Sequence, residues 1–177
     1  MDLTTIVVNI GDTISEFQSL AGAIAFLAGL WYVAQAITKG MKATNSPGGG
    51  AETSGAAIFT SLIVGALLLD LSGTMGGVFA SMSGEQGRGY GLVSYSGGAS
   101  IGAFQPVLNA IMTIVSTFGW WYGFKGFTMF KKASEGHGTG GYEDYAWKGM
   151  VHALGGAAMV NIATTLDAFK ETAGLAF

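Results

Sequence analysis

Ionisable side chains are scarce in this chain: charged residues make up 11 % of it, against about 25 % in typical soluble proteins. Each one set among apolar residues is therefore a candidate for chemistry. Asp70 is the only charge between Thr53 and Gly84. A carboxylate at the centre of a membrane span costs at least about 2.5 kcal/mol on insertion scales, so such a group is by default a proton carrier or one half of a polar contact. Asn161 holds the matching place in a later apolar run, Met150 to Leu166, and it does not titrate. Thr74 and Thr165 follow one turn after each. Asp70, Asn161, Thr74 and Thr165 accordingly read as an intramembrane polar contact between two halves of the chain rather than a proton path.

The other chemical motifs are incomplete. His137 and His152 are the only histidines and cysteine is absent, so with Glu143 and Asp144 nearby no metal-ligand spacing is formed. Gly136, Gly138 and Gly141 satisfy G-x-G-x-x-G, but they follow an apolar run where a dinucleotide fold needs a strand. No serine sits in a nucleophile elbow and no lysine completes a phosphate loop. The expectation is a chain without catalytic residues, metal or cofactor, and not an enzyme. Lys39, Lys42, Lys131 and Lys132 close two apolar stretches. Clustered cations beside a membrane attract anionic headgroups by roughly 1 kcal/mol each, making these four a candidate phospholipid-binding set. Their bland alternative is that they only fix topology.

The elements that must carry these residues are apolar and long. Half of the 177 residues are hydrophobic and 30 are glycine. So few charges could not cover a soluble globule, and the net charge of -3 offers no phosphate-tracking surface for nucleic acid. Phe17 to Thr38 is uncharged over 22 residues, which at about 1.5 Å per residue matches the roughly 30 Å hydrocarbon core of a bilayer. Thr53 to Gly84, Val107 to Phe124 and Met150 to Leu166 supply three more candidate spans. Glycine-rich stretches with Pro47 or Pro106 separate them. Ile6, Ile10, Ile14 and Phe17, with Asp12 and Glu16 between, suggest an amphipathic entry helix. Those acids stand where a secretory signal carries positive charge, so a cleavable leader is not expected in this stretch. The fold class expected is all-α: a membrane-type protein of two tandem α-hairpins, about four long apolar helices, plus the amphipathic N-terminal stretch. Its expected divisions are 1–84, a Gly-rich connection over 85–106, and 107–177.

The duplication is visible in the residues. Shifted by ninety, Gly29, Trp31, Tyr32, Thr38, Lys42 and Ala43 fall on Gly119, Trp121, Tyr122, Thr128, Lys132 and Ala133. Shifted by ninety-one, Gly65, Ala66 and Thr74 fall on Gly156, Ala157 and Thr165. Of the eight Lys and Arg residues, six lie in or beside the two hairpin loops, which places both loops on the cytoplasmic side. Trp31, Trp120, Trp121 and Tyr122 precede those lysines as an interfacial belt. Small residues recur at steps of four: Ala21, Ala25 and Gly29; Gly73, Gly77 and Ser81; Gly119 and Gly123; Gly149, Ala153 and Ala157. Such faces let helix backbones approach closely in lipid. Gly29, Gly73, Gly77, Gly119, Gly123, Ala153 and Ala157 are thus the candidate helix-packing positions, within the chain or between copies of it.

G-L-W-Y-x-x-x-A with its lysine-bearing loop, SLIVGALLLDLSGTM, FGWWYGFKGF and HALGGAAMVNIATTL together resemble the small membrane proteins of type IVB secretion and I-type plasmid conjugation, the IcmC/DotE, IcmD/DotP and TraQ/TraR proteins. The paired hairpins also resemble conjugative pilins of the TraA type, doubled. The resemblance implies a non-enzymatic component of an envelope-spanning transfer machine, located in a bacterial inner membrane and extractable into an extracellular pilus. Its implied partners are copies of itself, other components of the machine, and phospholipid packed between subunits. The rival expectation is a small membrane transporter with two parallel repeats around a midplane site. A transporter of polar solutes needs converging ionisable groups within the spans, and beyond Asp70 and His152 the sequence offers almost none.

Overall fold

A computed structural model describes residues 3–45, 55–95, 104–135 and 141–174. Among them are six helices and no strand: α1 (Leu3–Asn45), α2 (Gly55–Leu69), α3 (Leu71–Ser83), α4 (Gln105–Ser134), α5 (Gly141–Val160) and α6 (Ile162–Thr172). Most of the Gly- and Pro-rich stretches, with His137, Gly136 and Gly138, lie outside the described residues. The amphipathic stretch ahead of the first span is not a separate helix. It runs on into that span as α1, 43 residues without a break, because nothing between Leu3 and Asn45 ends a helix and glycine alone weakens one by only about 1 kcal/mol.

The expectation of four spans is met in part. One helix, over Asn9–Thr44, is long and apolar enough to cross a membrane. The pairs α2 with α3 and α5 with α6 qualify only if each is counted as one span, for they bend by 98° and 92°. The bends fall at Asp70 and Asn161. At Asp70 the backbone leaves helical geometry (φ -127°, ψ 72°) and the carboxylate accepts a hydrogen bond from Gly73 N at 2.8 Å, capping α3. Thr74 Oγ1 reaches back across the bend to Leu67 O at 2.8 Å, and Thr165 Oγ1 does the same to Ala158 O at 2.9 Å. Each threonine thereby satisfies a carbonyl that a broken helix would leave bare. The two breaks are the same device at sequence positions ninety-one apart.

α1 packs antiparallel on α2, and α4 antiparallel on α5, while α1 and α4 run parallel. Gln18 bonds Thr117 and Lys131 stacks over Tyr32, a separation of ninety-nine residues in both cases. Gly11 faces Ala110 at that separation too. One apolar core cluster runs through both halves, with Ala21, Ala25 and Leu68 from the first and Trp120, Phe127 and Val160 from the second. Trp120 is fully buried, its ring 4.3 Å from that of Tyr90. It is therefore a core residue and not part of an interfacial belt, since the small Ala21 and Ala25 leave room for a large ring between α1 and α4. Trp31 and Tyr122 do face outward.

Candidate functional site

The closest helix crossings are made by glycine, and they come in two matching sets. A Cβ added at Gly29 would meet Gly65 O at 2.7 Å and Leu69 N at 2.9 Å. One added at Gly119 would meet Gly156 O at 2.8 Å and Val160 N at 2.6 Å. The obstacle is backbone in all four cases, so no rotamer relieves it. Gly123 packs on Gly156 and on Met75, and Ala153 and Ala157 are buried against α4. Gly73 and Gly77 differ from expectation. Both are exposed, nothing stands within 4 Å of a Cβ at Gly77, and Gly73 is occupied with its own cap at Asp70. The 98° bend swings their face away from the helices of the same chain.

Between α3 and α4 the backbone of 84–95 is irregular, and side chains from distant helices hold its amides. Arg88 N donates to Asn161 Oδ1 (2.7 Å), Gly91 N to Gln18 Oε1 (2.8 Å), Val93 N to Thr113 Oγ1 (3.0 Å) and Tyr95 N to Asn109 Oδ1 (3.1 Å). Gln18, Thr113 and Asn161 are fully buried. Gln18 Nε2 continues to Thr117 Oγ1 (3.0 Å), and Asn161 Nδ2 to Ala157 O (2.9 Å). Non-helical backbone away from water must find such partners inside the protein. Asn161 thus joins two parts of the chain, whereas Asp70 is exposed and bonds only its own helix. The duplicated positions share the bend and differ in reach: the segment 84–95 passes both breaks, but its backbone donates to the side chain at the second, Asn161, while the Asp70 carboxylate accepts from Gly73 N. Sequence reading missed Gln18, Asn109, Thr113 and Thr117. Their signal was the step of four along α4 and the amide at Gln18 within an apolar run.

The four lysines separate into two kinds. Lys39 and Lys131 both place Nζ 2.9 Å from Glu135 Oε1, and Lys131 lies 4.6 Å from the centre of the Tyr32 ring. Lys131 is only 8 % exposed, so it is committed inward and not toward a headgroup. Lys42 and Lys132 are exposed. Glu135, unnoticed in the sequence beside its lysine pair, is the acid that ties the C-terminal ends of α1 and α4 together. Burial acts to raise its pKa, but hydrogen bonds and charge from Lys39 and Lys131 outweigh that and hold it below its ordinary 4.5. A depressed carboxylate contributes stability above its unfolded value and loses it as pH falls through the folded one. The expected result is a clasp unaffected by pH well above the ordinary carboxylate value and progressively weakened as pH falls below it. Glu135→Gln should remove that acid-dependent step from a stability-against-pH profile recorded in detergent.

Among the described residues no group of three or more histidine or acidic side chains is placed to hold a metal ion. The chain matches no protein-family model, no curated protein and no solved structure.

Proposed function

We propose that this protein is a non-enzymatic structural subunit of a bacterial type IV transfer apparatus, a membrane protein that polymerises through its helix faces. The finer architecture this implies is two tandem hairpins, α1 with the bent pair α2–α3 and α4 with the bent pair α5–α6, inserted in the inner membrane with both cationic ends on one side. The observation that carries the reading is the apolar outer surface of α1. Phe17, Leu20, Ile24, Leu27 and Trp31 follow one another at alternating steps of three and four and are all exposed. A contiguous apolar stripe of that length marks a surface made for lipid or for another protein. The parallel course of α1 and α4 also brings Lys39 and Lys131 to the same end, as two cytoplasmic loops require.

The rival transporter, with repeats related by an axis along the membrane normal, would set equivalent residues at one level. Here the facing residues are ninety-nine apart while the repeat is ninety, which a simple rotation does not produce. Phospholipid belongs between subunits, with Lys42 and Lys132 as its outward cations. Electron micrographs of the purified protein, with mass spectrometry of co-purified lipid, test the proposal. Filaments or rings containing this chain as main component are expected; dispersed single subunits that take up a solute into vesicles would overturn it.

A further inference from the structure

The interface between α1 and α4 is built from non-equivalent faces of two equivalent helices. On α1 it uses Gln18, Ala21, Ala28 and Tyr32; on α4 it uses Thr117, Trp120, Phe127 and Lys131, each ninety-nine residues on. The steps of three, four and seven are those of parallel helices meeting along a heptad seam. Subtracting the repeat of ninety shows what the other copy of each face is doing. The α4 face corresponds in α1 to Leu27, Leu30, Ile37 and Met41, all between 46 and 65 % exposed, whereas Thr117, Trp120, Phe127 and Lys131 are at most 9 % exposed. The α1 face corresponds in α4 to Leu108, Ile111, Phe118 and Tyr122: Leu108 is half-buried against the cluster of Val93 and Met112, and the other three are between 44 and 56 % exposed, Tyr122 with one side of its ring stacked on His152. By position each repeat therefore carries both halves of one joint and the chain uses one half from each; the two unused halves are apolar, open throughout on α1 and open on α4 at Ile111, Phe118 and the free side of Tyr122. On α1 the used and unused faces are two residues out of phase, about 200° around the helix, so they point to opposite sides.

We infer that a second copy of this chain docks head to tail, the open face of its α4 seated on the open face of α1 in the register of the joint made inside the subunit, with large apolar side chains on both sides. The contact pairs follow by the same arithmetic: Ile111 with Leu30, Phe118 with Ile37, and Tyr122 with Met41 of the next copy. The last replaces the Tyr32–Lys131 contact with a thioether against an aromatic ring, a favourable pairing. Such a joint is heterologous, so it propagates. Facing residues run nine positions out of step with the repeat, an advance of about 13 Å per repeat along the helix axis. A screw with that rise does not close into a flat ring; it gives an open helical filament.

This rests on the structural-subunit proposal, and the test separates the two. The chain contains no cysteine, so the double variant Met41→Cys with Tyr122→Cys, in the full-length protein, reports only the joint in question once oxidised with copper phenanthroline. A disulfide needs Cα atoms within about 7 Å. The expected result is a ladder of covalent dimers, trimers and longer species, with neither single variant giving more than a trace. Ile37→Cys with Phe118→Cys should reproduce the ladder, guarding against a local effect at Tyr122. Particles visible by microscopy without a ladder from either pair would overturn this joint and leave the structural-subunit proposal standing. Dispersed subunits without a ladder would remove both. A Met41→Cys single variant that dimerises fully would also overturn it, since that contact is isologous.

Discussion

Gly119→Val is expected to destabilise the α4–α5 pair by about 3 kcal/mol, the upper end for forcing volume into a packed interior. The Cβ alone would stand 2.6 Å from Val160 N and 2.8 Å from Gly156 O, and the two methyl groups of valine extend further into the same backbone. Neither partner is the end of a flexible side chain, so relief requires the helices to part. Parting them removes the close contact on which helix association in lipid depends. Gly77→Val is the matched control. Nothing lies within 4 Å of its Cβ, and a change there should stay within about 0.5 kcal/mol. Thermal unfolding of both variants in the same detergent, followed by helical circular dichroism, checks the pair. Equal melting curves would mean that α4 and α5 do not meet as closely as described.

Asn161→Leu should cost about 2 to 3 kcal/mol through a different mechanism. The leucine fills a similar volume, but the half-buried Arg88 N–H loses its acceptor and the break loses the Asn161 Nδ2 bond to Ala157 O. A buried donor left unpaired bears its full desolvation penalty. The local signature is faster hydrogen exchange at the amides of residues 88–93 than at the centre of α4. Asp70→Asn, at the equivalent bend, should do almost nothing. The residue is exposed, and an asparagine oxygen can accept from Gly73 N as the carboxylate does. Loss of assembly in Asp70→Asn would show that its charge has a role beyond the cap.

These two cases also show what was legible in the residues and what was not. The glycine crossings of α1, α4 and α5 could be read from the four-residue spacing of small side chains, but the same spacing at Gly73, Gly77 and Ser81 makes no crossing, because the bend at Asp70 turns that face outward. The duplicated offset of ninety pointed to the same crossings in both halves, and Gly29–Gly65 and Gly119–Gly156 match it. The bends could not be read. A lone polar residue in an apolar run has two physical solutions, a partner across the span or a break that it caps, and no proline or glycine beside Asp70 or Asn161 favoured the second. Trp120 posed a similar ambiguity. An aromatic ring before a lysine suits an interface, and only the small residues that α1 sets opposite it make the core the better place. Lys131 followed the same logic: its charge suggested solvent, while Glu135, four residues on, supplied an inward partner.

α1 is, finally, about twice as long as the hydrocarbon core of a bilayer is thick. Its 43 residues measure about 64 Å at the helical rise, against roughly 30 Å of hydrocarbon. Were Phe17 to Thr38 sunk in a bilayer, the four turns before Phe17, bearing Asp12 and Glu16, would extend beyond it braced on one side by the start of α4, where Gly11 is buried against Ala110 and Leu92. A fluorophore fixed near residue 5 would then be held about 18 Å beyond Phe17 along the helix axis, its place set by helix geometry rather than by the wandering of a loose tail.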